Sequence, residues 1–334
     1  MAYKVVARAG MMGTEIPELA GIGAEYVAVP LKTEDDIIAA AKDADAVMVG
    51  AMEPYTRKAI AGLEKCKVIS RMGIGYDNID IEAATEYGIP VAYVPDASIH
   101  EVSDQTIALV LCLGRRLVPI SRAVSDGAWA PGRTELNPLR GALTRLSNQT
   151  LGLVGLGRIG SLTCQKAKAF NLRVIIYDPY MSAGDISKIG AEKVELEQLL
   201  KESDYVSLHA PLTKETRRLL GLEQFKKMKP TAFLVNTARG GLVDEAALAT
   251  ALKEGYLAGA GLDVTDPEPP KPDNPLLKMD NVMITGHSAW LSRESGAEVR
   301  QRTVTAVLDA LSGRWPKDLV NPQVKDRPNS RLKK

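Results

Sequence analysis

Cysteine and histidine are scarce in this 334-residue chain, at three each. Cys66, Cys112 and Cys164 lie far apart, so no disulfide framework and no metal-ligand spacing is legible. They read as buried apolar side chains in a reducing, cytoplasmic setting, with no metal expected. Phe, Trp and Tyr together make up 5% of the residues. Charge of one sign is missing too, since 42 basic and 41 acidic side chains leave a formal +1. Such a balance gives no field to gather nucleic acid or an anionic membrane surface, and neither is expected as a partner. No apolar run reaches the roughly 18 residues of a membrane span. Met1-Ala2-Tyr3-Lys4 leads straight into Val5-Val6-Ala7, without the pattern of a cleaved secretory signal.

What the chain has in abundance is short β-branched runs alternating with helical stretches. Lys4–Ala7, Tyr26–Val29, Ala46–Val49, Lys67–Ser70 and Val91–Val94 form a first set of strands, with helices over Glu34–Lys42 and Ile81–Tyr87 between them. A second set runs over Thr150–Val154, Arg173–Tyr177, Tyr205–Leu208, Ala232–Val235, Gly259–Asp263 and Val282–Thr285. Nearly continuous apolar strands signal parallel sheets covered on both faces, so the expected class is α/β with two Rossmann-like or flavodoxin-like units. A long helical pattern, Val102–Arg116, and a polar stretch from Ser125 to Gln149 separate the sets. A stretch that long reads as functional or as an oligomerisation arm. A last helix is expected over Ser295–Leu311, and the basic tail Lys325–Lys334 reads as solvated and frayed.

The most specific motif is Gly155-Leu156-Gly157-Arg158-Ile159-Gly160, set between an apolar strand and a helical pattern. Gly155 permits a tight turn, Gly157 lets backbone approach a pyrophosphate, and Gly160 lets helix and sheet pack closely. The helix N-terminus then offers N–H groups and a positive dipole end to phosphates. Asp178, eighteen residues after Gly160, ends the next strand. Its carboxylate suits a ribose diol and repels a 2′-phosphate, so the cofactor expected is NAD rather than NADP.

Three further strand ends carry reactive side chains. Asn236-Thr237-Ala238-Arg239 follows one strand, Asp263 and Glu268 follow another, and His287-Ser288-Ala289-Trp290 ends a third. Reduction of a 2-oxo acid needs a cation for the carboxylate and a proton for the carbonyl oxygen. Arg239 suits the first task through its two-pronged fork. His287 suits the second, and Glu268 beside the ring would hold it protonated. Singly, each has an ordinary structural reading: a surface cation, a packed histidine, a solvated glutamate. Together, on the strand ends of a dinucleotide-binding sheet, they read as an acid–base set. His209 also ends a strand and is expected on the cofactor rim with Ala210, Pro211 and Thr216. His100 has no assigned role.

Over nearly its whole length the chain resembles the D-isomer-specific 2-hydroxyacid dehydrogenases. The resemblance is carried by Arg71 to Asp80, the glycine loop, Tyr177-Asp178-Pro179-Tyr180, Leu208 to Thr213, Asn236 to Glu245, Gly261 to Val264, Glu268-Pro269 and His287 to Trp290. It implies a discontinuous substrate domain (residues 1–101 plus 292–334) and an NAD domain (102–291), with a cleft between them. It also implies that Arg239, Glu268 and His287 are catalytic, that Ile74 and Gly75 hold the substrate carboxylate, and that Asp263 and Thr237–Ala238 sit near the nicotinamide. A homodimer using the Ser125–Gln149 arm is expected. Within the family, Arg71, Val102-Ser103-Asp104 and His287-Ser288-Ala289-Trp290 are most similar to the C-terminal-binding protein branch. There Trp290 would wall the substrate pocket, or pack behind His287. Arg71 would add a second cation for the substrate, or pair with a nearby carboxylate. One departure stands out: the family commonly has proline before the catalytic histidine, and here Gly286 precedes His287, implying a looser placement. The activity implied is reversible hydride transfer between NADH and a 2-oxo acid. The alternatives are an NAD(H)-sensing scaffold that binds partner proteins and a phosphoglycerate-type dehydrogenase.

Overall fold

The computed structural model describes residues 2–332. The chain divides into two compact units, Met1–Ser98 with Ser292–Lys334, and Ile99–Leu291.

The first unit is built on five parallel strands: β1 (Lys4–Arg8), β2 (Glu25–Val29), β3 (Ala46–Val49), β4 (Val68–Arg71) and β5 (Val91–Ala92), in the order β2-β1-β3-β4-β5. Helices α1 (Pro17–Ala20), α2 (Glu34–Ala41), α3 (Arg57–Ala61) and α4 (Ile81–Glu86) form the crossovers. Thr33 caps α2 with a reciprocal capping box through Asp36, and Asp80 caps α4 by accepting the Ala83 N–H. Val6, Val47 and Ile69 pack on one face of the sheet, and Val5, Ala46 and Val68 on the other. This explains the unbroken apolar runs: a parallel strand buried on both faces needs apolar residues at both phases.

The second unit opens with α5 (Ile99–Gly114), then α6 (Leu117–Ser125) and α7 (Leu136–Gly141). Its sheet has seven parallel strands: β6 (Thr150–Val154), β7 (Arg173–Tyr177), β8 (Glu192–Lys193), β9 (Tyr205–Leu208), β10 (Phe233–Asn236), β11 (Gly259–Leu262) and β12 (Val282–Ile284). The order is β12-β11-β10-β9-β6-β7-β8. Helices α8 (Arg158–Ala169), α9 (Ala183–Lys188), α10 (Leu196–Glu202), α11 (Leu222–Phe225) and α12 (Glu245–Lys253) complete it. The chain then returns to the first unit as α13 (Arg293–Leu311). β6 pairs with β7 on one side and β9 on the other, so the strand order reverses there. Ligands of open α/β sheets collect beyond the strand carboxyl ends at such a reversal.

Several expectations need correction. The division falls at Ser98, because α5 begins at Ile99 rather than Val102. The stretch from Ser125 to Gln149 holds α7 and a short 3₁₀ turn. The tail is not frayed through its described residues. Val324, Ser330 and Leu332 are buried. Arg331 donates through Nη1 to the carbonyls of Leu63 and Cys66, and through Nε to that of Tyr87. A Cβ on Gly88 would lie 2.2 Å from the Asn329 carbonyl oxygen, so the tail sits directly on the α4–β5 turn. Unpaired backbone carbonyls at the edge of a core are costly, and the Arg331 guanidinium supplies them with donors. Among the described residues, no helix is long and apolar enough to cross a membrane.

Candidate active site

The glycine loop leaves β6 at the strand-order reversal. Gly155 takes φ +94°, and a Cβ there would lie 2.8 Å from the Ala210 nitrogen. The loop therefore lies against the backbone that ends β9, and a side chain would force the two apart. Gly160 is tight for another reason: its Cβ would sit 2.8 Å from the Gly155 carbonyl oxygen. Gly157 differs from both. Its backbone is extended at φ −82° and ψ −164°, and a Cβ would meet nothing within 4 Å. Neither conformation nor protein contact calls for glycine at this position, and a Cβ there would project into open space.

Gly157 is the N-cap of α8, with Arg158 and Ile159 in its first turn. An open pocket of ≈ 820 Å³ runs from Leu156, Gly157 and Arg158 along α8 past Ser161, Leu162, Gln165 and Lys168, with Ile99 and Ile189 also lining it. Asp178 is buried at the end of β7. Its Oδ2 accepts the Leu156 N–H at 2.8 Å, and its Oδ1 accepts those of Tyr180 (2.8 Å) and Met181 (3.2 Å). A carboxylate has about four acceptor positions, so this one is fixed in place with room for one further donor. His209 stands beyond β9, with Nε2 3.0 Å from the Ser207 hydroxyl. Burial pulls its pKa down to about 4, so the ring is neutral at working pH. Ala210, Pro211 and Thr216 follow on the same loop, where Thr216 Oγ1 donates to the Pro211 carbonyl at 2.6 Å.

The residues expected to form the acid–base set, Arg239, Glu268 and His287, follow β10, β11 and β12, three adjacent strands. After β10, the buried Asn236 side chain donates to the Arg239 carbonyl (2.8 Å) and accepts the Ala238 N–H (3.0 Å). This closes a tight turn that presents Arg239, which is half-buried and donates through Nη1 to the Ala238 carbonyl at 2.7 Å. After β12, His287 Nδ1 lies 2.6 Å from Glu268 Oε2, with side chains 30% and 26% exposed. Glu268 Oε1 in turn accepts the Thr265 N–H at 3.3 Å. The carboxylate thus fixes one ring nitrogen and leaves Nε2 for chemistry.

Asp263 organises the His287 turn. Its backbone carbonyl accepts the His287 N–H at 2.6 Å. Its buried carboxylate accepts the Thr285 hydroxyl (2.5 Å) and the N–H groups of Ser288 and Ala289, both at 3.0 Å. The Gly286 departure therefore does not leave the turn loosely held. Trp290, half-buried, closes the segment. Sequence reasoning missed the supporting residues Thr106, Ser207, Asn236 and Thr285. A hydroxyl or amide in an otherwise apolar phase of a helix or strand was the available signal.

In the first unit, Ile74 and Gly75 are half-buried on the loop after β4. Arg71 is buried and folds over its own loop: Nη1 donates to the Met72 carbonyl and would lie 2.8 Å from a Cβ on Gly73. Among the described residues, no group of three or more His, Cys, Asp or Glu side chains could hold a metal ion.

The family model for the D-isomer specific 2-hydroxyacid dehydrogenase, NAD binding domain, matches residues 107–289. The chain belongs to this family. A dehydrogenase of this family is an NAD-dependent oxidoreductase, and the open space at Gly157, the N-terminus of α8 and the fixed Asp178 fit that cofactor. The chain is 40% identical over 293 residues to a glyoxylate reductase of Korarchaeum cryptofilum, covering 87% of each. It is also 40% identical over 314 residues to a D-3-phosphoglycerate dehydrogenase of Methanocaldococcus jannaschii, spanning 93% of this chain and 58% of that protein. Among solved structures, a D-lactate dehydrogenase of Aquifex aeolicus complexed with NAD and lactic acid has a TM-score of 0.83 at 28% identity. It covers 95% of this chain and 98% of that one.

Proposed function

We propose that this dehydrogenase reduces a small, unphosphorylated 2-oxo acid to the D-2-hydroxy acid, and catalyses the reverse oxidation. The carrying observation is the 2.6 Å contact between His287 Nδ1, after β12, and Glu268 Oε2, after β11, beside the strand that leads to Arg239. Arg239 grips the substrate carboxylate. NADH, when bound, supplies the hydride that reaches the substrate C2. His287 gives its Nε2 proton to the carbonyl oxygen and is left neutral, to be reprotonated from solvent. Glu268 accepts the Nδ1 proton's hydrogen bond throughout and holds the ring in one orientation. Gly155, Gly157, Arg158, Ile159 and Gly160 hold the cofactor phosphates. Asp178 takes the ribose; His209, Ala210, Pro211 and Thr216 form the rim. Thr237, Ala238 and Asp263 lie at the nicotinamide end, with Trp290 beside the substrate.

The phosphoglycerate reading rested on Arg71 as a phosphate cation. Its buried side chain, turned onto its own loop, favours an unphosphorylated acid instead. The names of the Korarchaeum cryptofilum and Thermococcus litoralis relatives make glyoxylate the first acid to assay.

A homodimer through the Ser125–Gln149 arm, with α6 leading into it, is part of this proposal. Helix α6 buries none of its residues, and Leu117, Val118 and Trp129 are exposed apolar side chains. Exposed apolar side chains gathered on one segment of the chain support a contact surface there. Cytoplasmic residence is proposed from the three free thiols, of which Cys66 is pushed up to about 12 by burial.

The test is NADH oxidation with glyoxylate, pyruvate, hydroxypyruvate, bulky apolar 2-oxo acids and 3-phosphohydroxypyruvate. His287→Asn is expected to lower kcat by about 10²–10⁴-fold, and Arg239→Lys to lower kcat/KM for every acid. Wild-type turnover with an equally fast His287→Asn enzyme would overturn the assignment of His287. NADH-dependent dimerisation without turnover of any acid would favour the sensing scaffold.

A further inference from the structure

Helix α5 is apolar on its buried face, through Val102, Ile107, Leu109, Val110 and Leu113. Ser103 and Thr106 break that pattern, and both are fully buried. A hydroxyl taken out of water is unfavourable unless it is bonded, so each has a task.

Thr106 Oγ1 lies 2.8 Å from the Val102 carbonyl and 2.8 Å from Thr237 Oγ1. A hydroxyl has one proton to give. Val102's carbonyl can only accept, so Thr106 donates to it and Thr237 donates to Thr106. The direction of the chain is therefore fixed: Thr237 to Thr106 to the Val102 carbonyl. Thr237 stands two residues before Arg239, in the turn that Asn236 closes from inside. Thr106 anchors the same turn from a separate element.

One turn earlier, α5 also holds the cofactor helix. Lys166 of α8 donates to Ser103 Oγ at 2.5 Å, to Asp104 Oδ1 at 2.7 Å and to the His100 carbonyl at 3.2 Å. One helix thus braces both α8, whose N-terminus carries the glycine loop, and the Arg239 turn.

We infer that Thr106 is a positioning residue for the reaction, which sets Arg239 relative to the cofactor helix through the Thr237 hydroxyl. The inference rests on the proposed role of Arg239. Misplacing a substrate by about 1 Å costs on the order of 100-fold in rate. Thr106→Val keeps the volume and removes the hydroxyl; Thr106→Ser keeps the hydroxyl and removes a methyl group.

The experiment compares both variants with wild type, using the fastest acid of the panel above, and measures NADH affinity by fluorescence titration. Thr106→Val is expected to lose about 10- to 100-fold in kcat/KM for the acid, by the same misplacement argument. Its NADH Kd should stay within about twofold, and Thr106→Ser should keep most of the activity. A packing role gives the opposite order, with valine active and serine impaired, and would overturn the inference. So would a loss confined to NADH binding, or a valine variant as active as wild type. Should valine fail to fold, Thr106→Cys fills the site with a weaker bonding group and is read the same way. If wild type turns over no 2-oxo acid, the proposed function fails and this inference with it. If wild type is active and Thr106→Val is unchanged, this inference fails alone.

Discussion

Three glycines in one loop are glycine for three different reasons, and single alanine substitutions separate them. At Gly155 alanine must adopt φ +94° and place its Cβ 2.8 Å from the Ala210 nitrogen. The left-handed backbone costs about 1–2 kcal/mol for an L-residue. Crowding against fixed backbone adds about 1–3 kcal/mol. In a unit of this size each kcal/mol moves Tm by about 2–4 °C, so Gly155→Ala should lower it by about 4–20 °C. At Gly157 the backbone is already extended and the added methyl meets no protein atom. Its effect on stability should lie within about 0.5 kcal/mol, as for a substitution that disturbs no packed group. The same methyl enters the space reserved for the pyrophosphate, so NADH should weaken by at least about tenfold, or 1.4 kcal/mol. Thermal unfolding without cofactor and fluorescence titration with NADH read the two effects separately. A Gly157→Ala protein that binds NADH like wild type, or melts as early as Gly155→Ala, would refute the reasoning.

Other perturbations reach the supporting shell. The folded chain holds His209 neutral down to about pH 4, while the unfolded chain protonates it near 6.5. The unfolded state therefore binds the extra proton between those values. Stability should fall by about 2–3 kcal/mol as pH drops through that window, and His209→Asn should flatten this part of a urea-unfolding pH series. Asp263→Asn replaces one acceptor of the His287 turn with an N–H₂ group. About 1–3 kcal/mol of stability should go with it, and kcat should fall much more than the NADH Kd changes. Arg331→Ala strips donors from the carbonyls of Leu63, Cys66 and Tyr87. About 1–3 kcal/mol of stability should be lost in urea unfolding, since buried acceptors are left without partners, with no change in NADH affinity.

The strands were legible because a parallel sheet covered on both faces writes itself as β-branched runs, and Thr150–Val154, Arg173–Tyr177 and Tyr205–Leu208 have the boundaries expected. β8 was not legible. Glu192–Lys193 is a two-residue edge strand, and an edge strand needs no apolar phase. The tail misled because composition reports charge and not partners. Arg331 is basic and reads as solvated, yet what decides its place is three backbone carbonyls more than two hundred residues away in sequence. The reactive groups of the site were legible from type and position at strand ends. Their supports were less so: Thr106 and Asn236 act through side-chain hydrogen bonds that no periodicity encodes, and Asp263 was picked out by its strand-end place but not as the residue that holds the His287 turn.

The Gly286 departure shows what such supports can replace. Proline holds φ near −65°, whereas Gly286 sits at +61° and His287 at +55°. Proline cannot occupy this turn as built, so glycine suits the backbone path by which this chain reaches His287. Two successive left-handed residues would be poorly determined by themselves, and the histidine's own share of that conformation costs about 1–2 kcal/mol. Asp263 offsets the cost from both sides, taking the His287 N–H on its carbonyl and the next two N–H groups on its carboxylate. Glu268 then fixes the ring at Nδ1. The backbone strain falls on the residue that must aim a proton, where an over-determined conformation serves orientation. Rigidity that proline would have supplied from the sequence is supplied here by one buried carboxylate on the neighbouring strand.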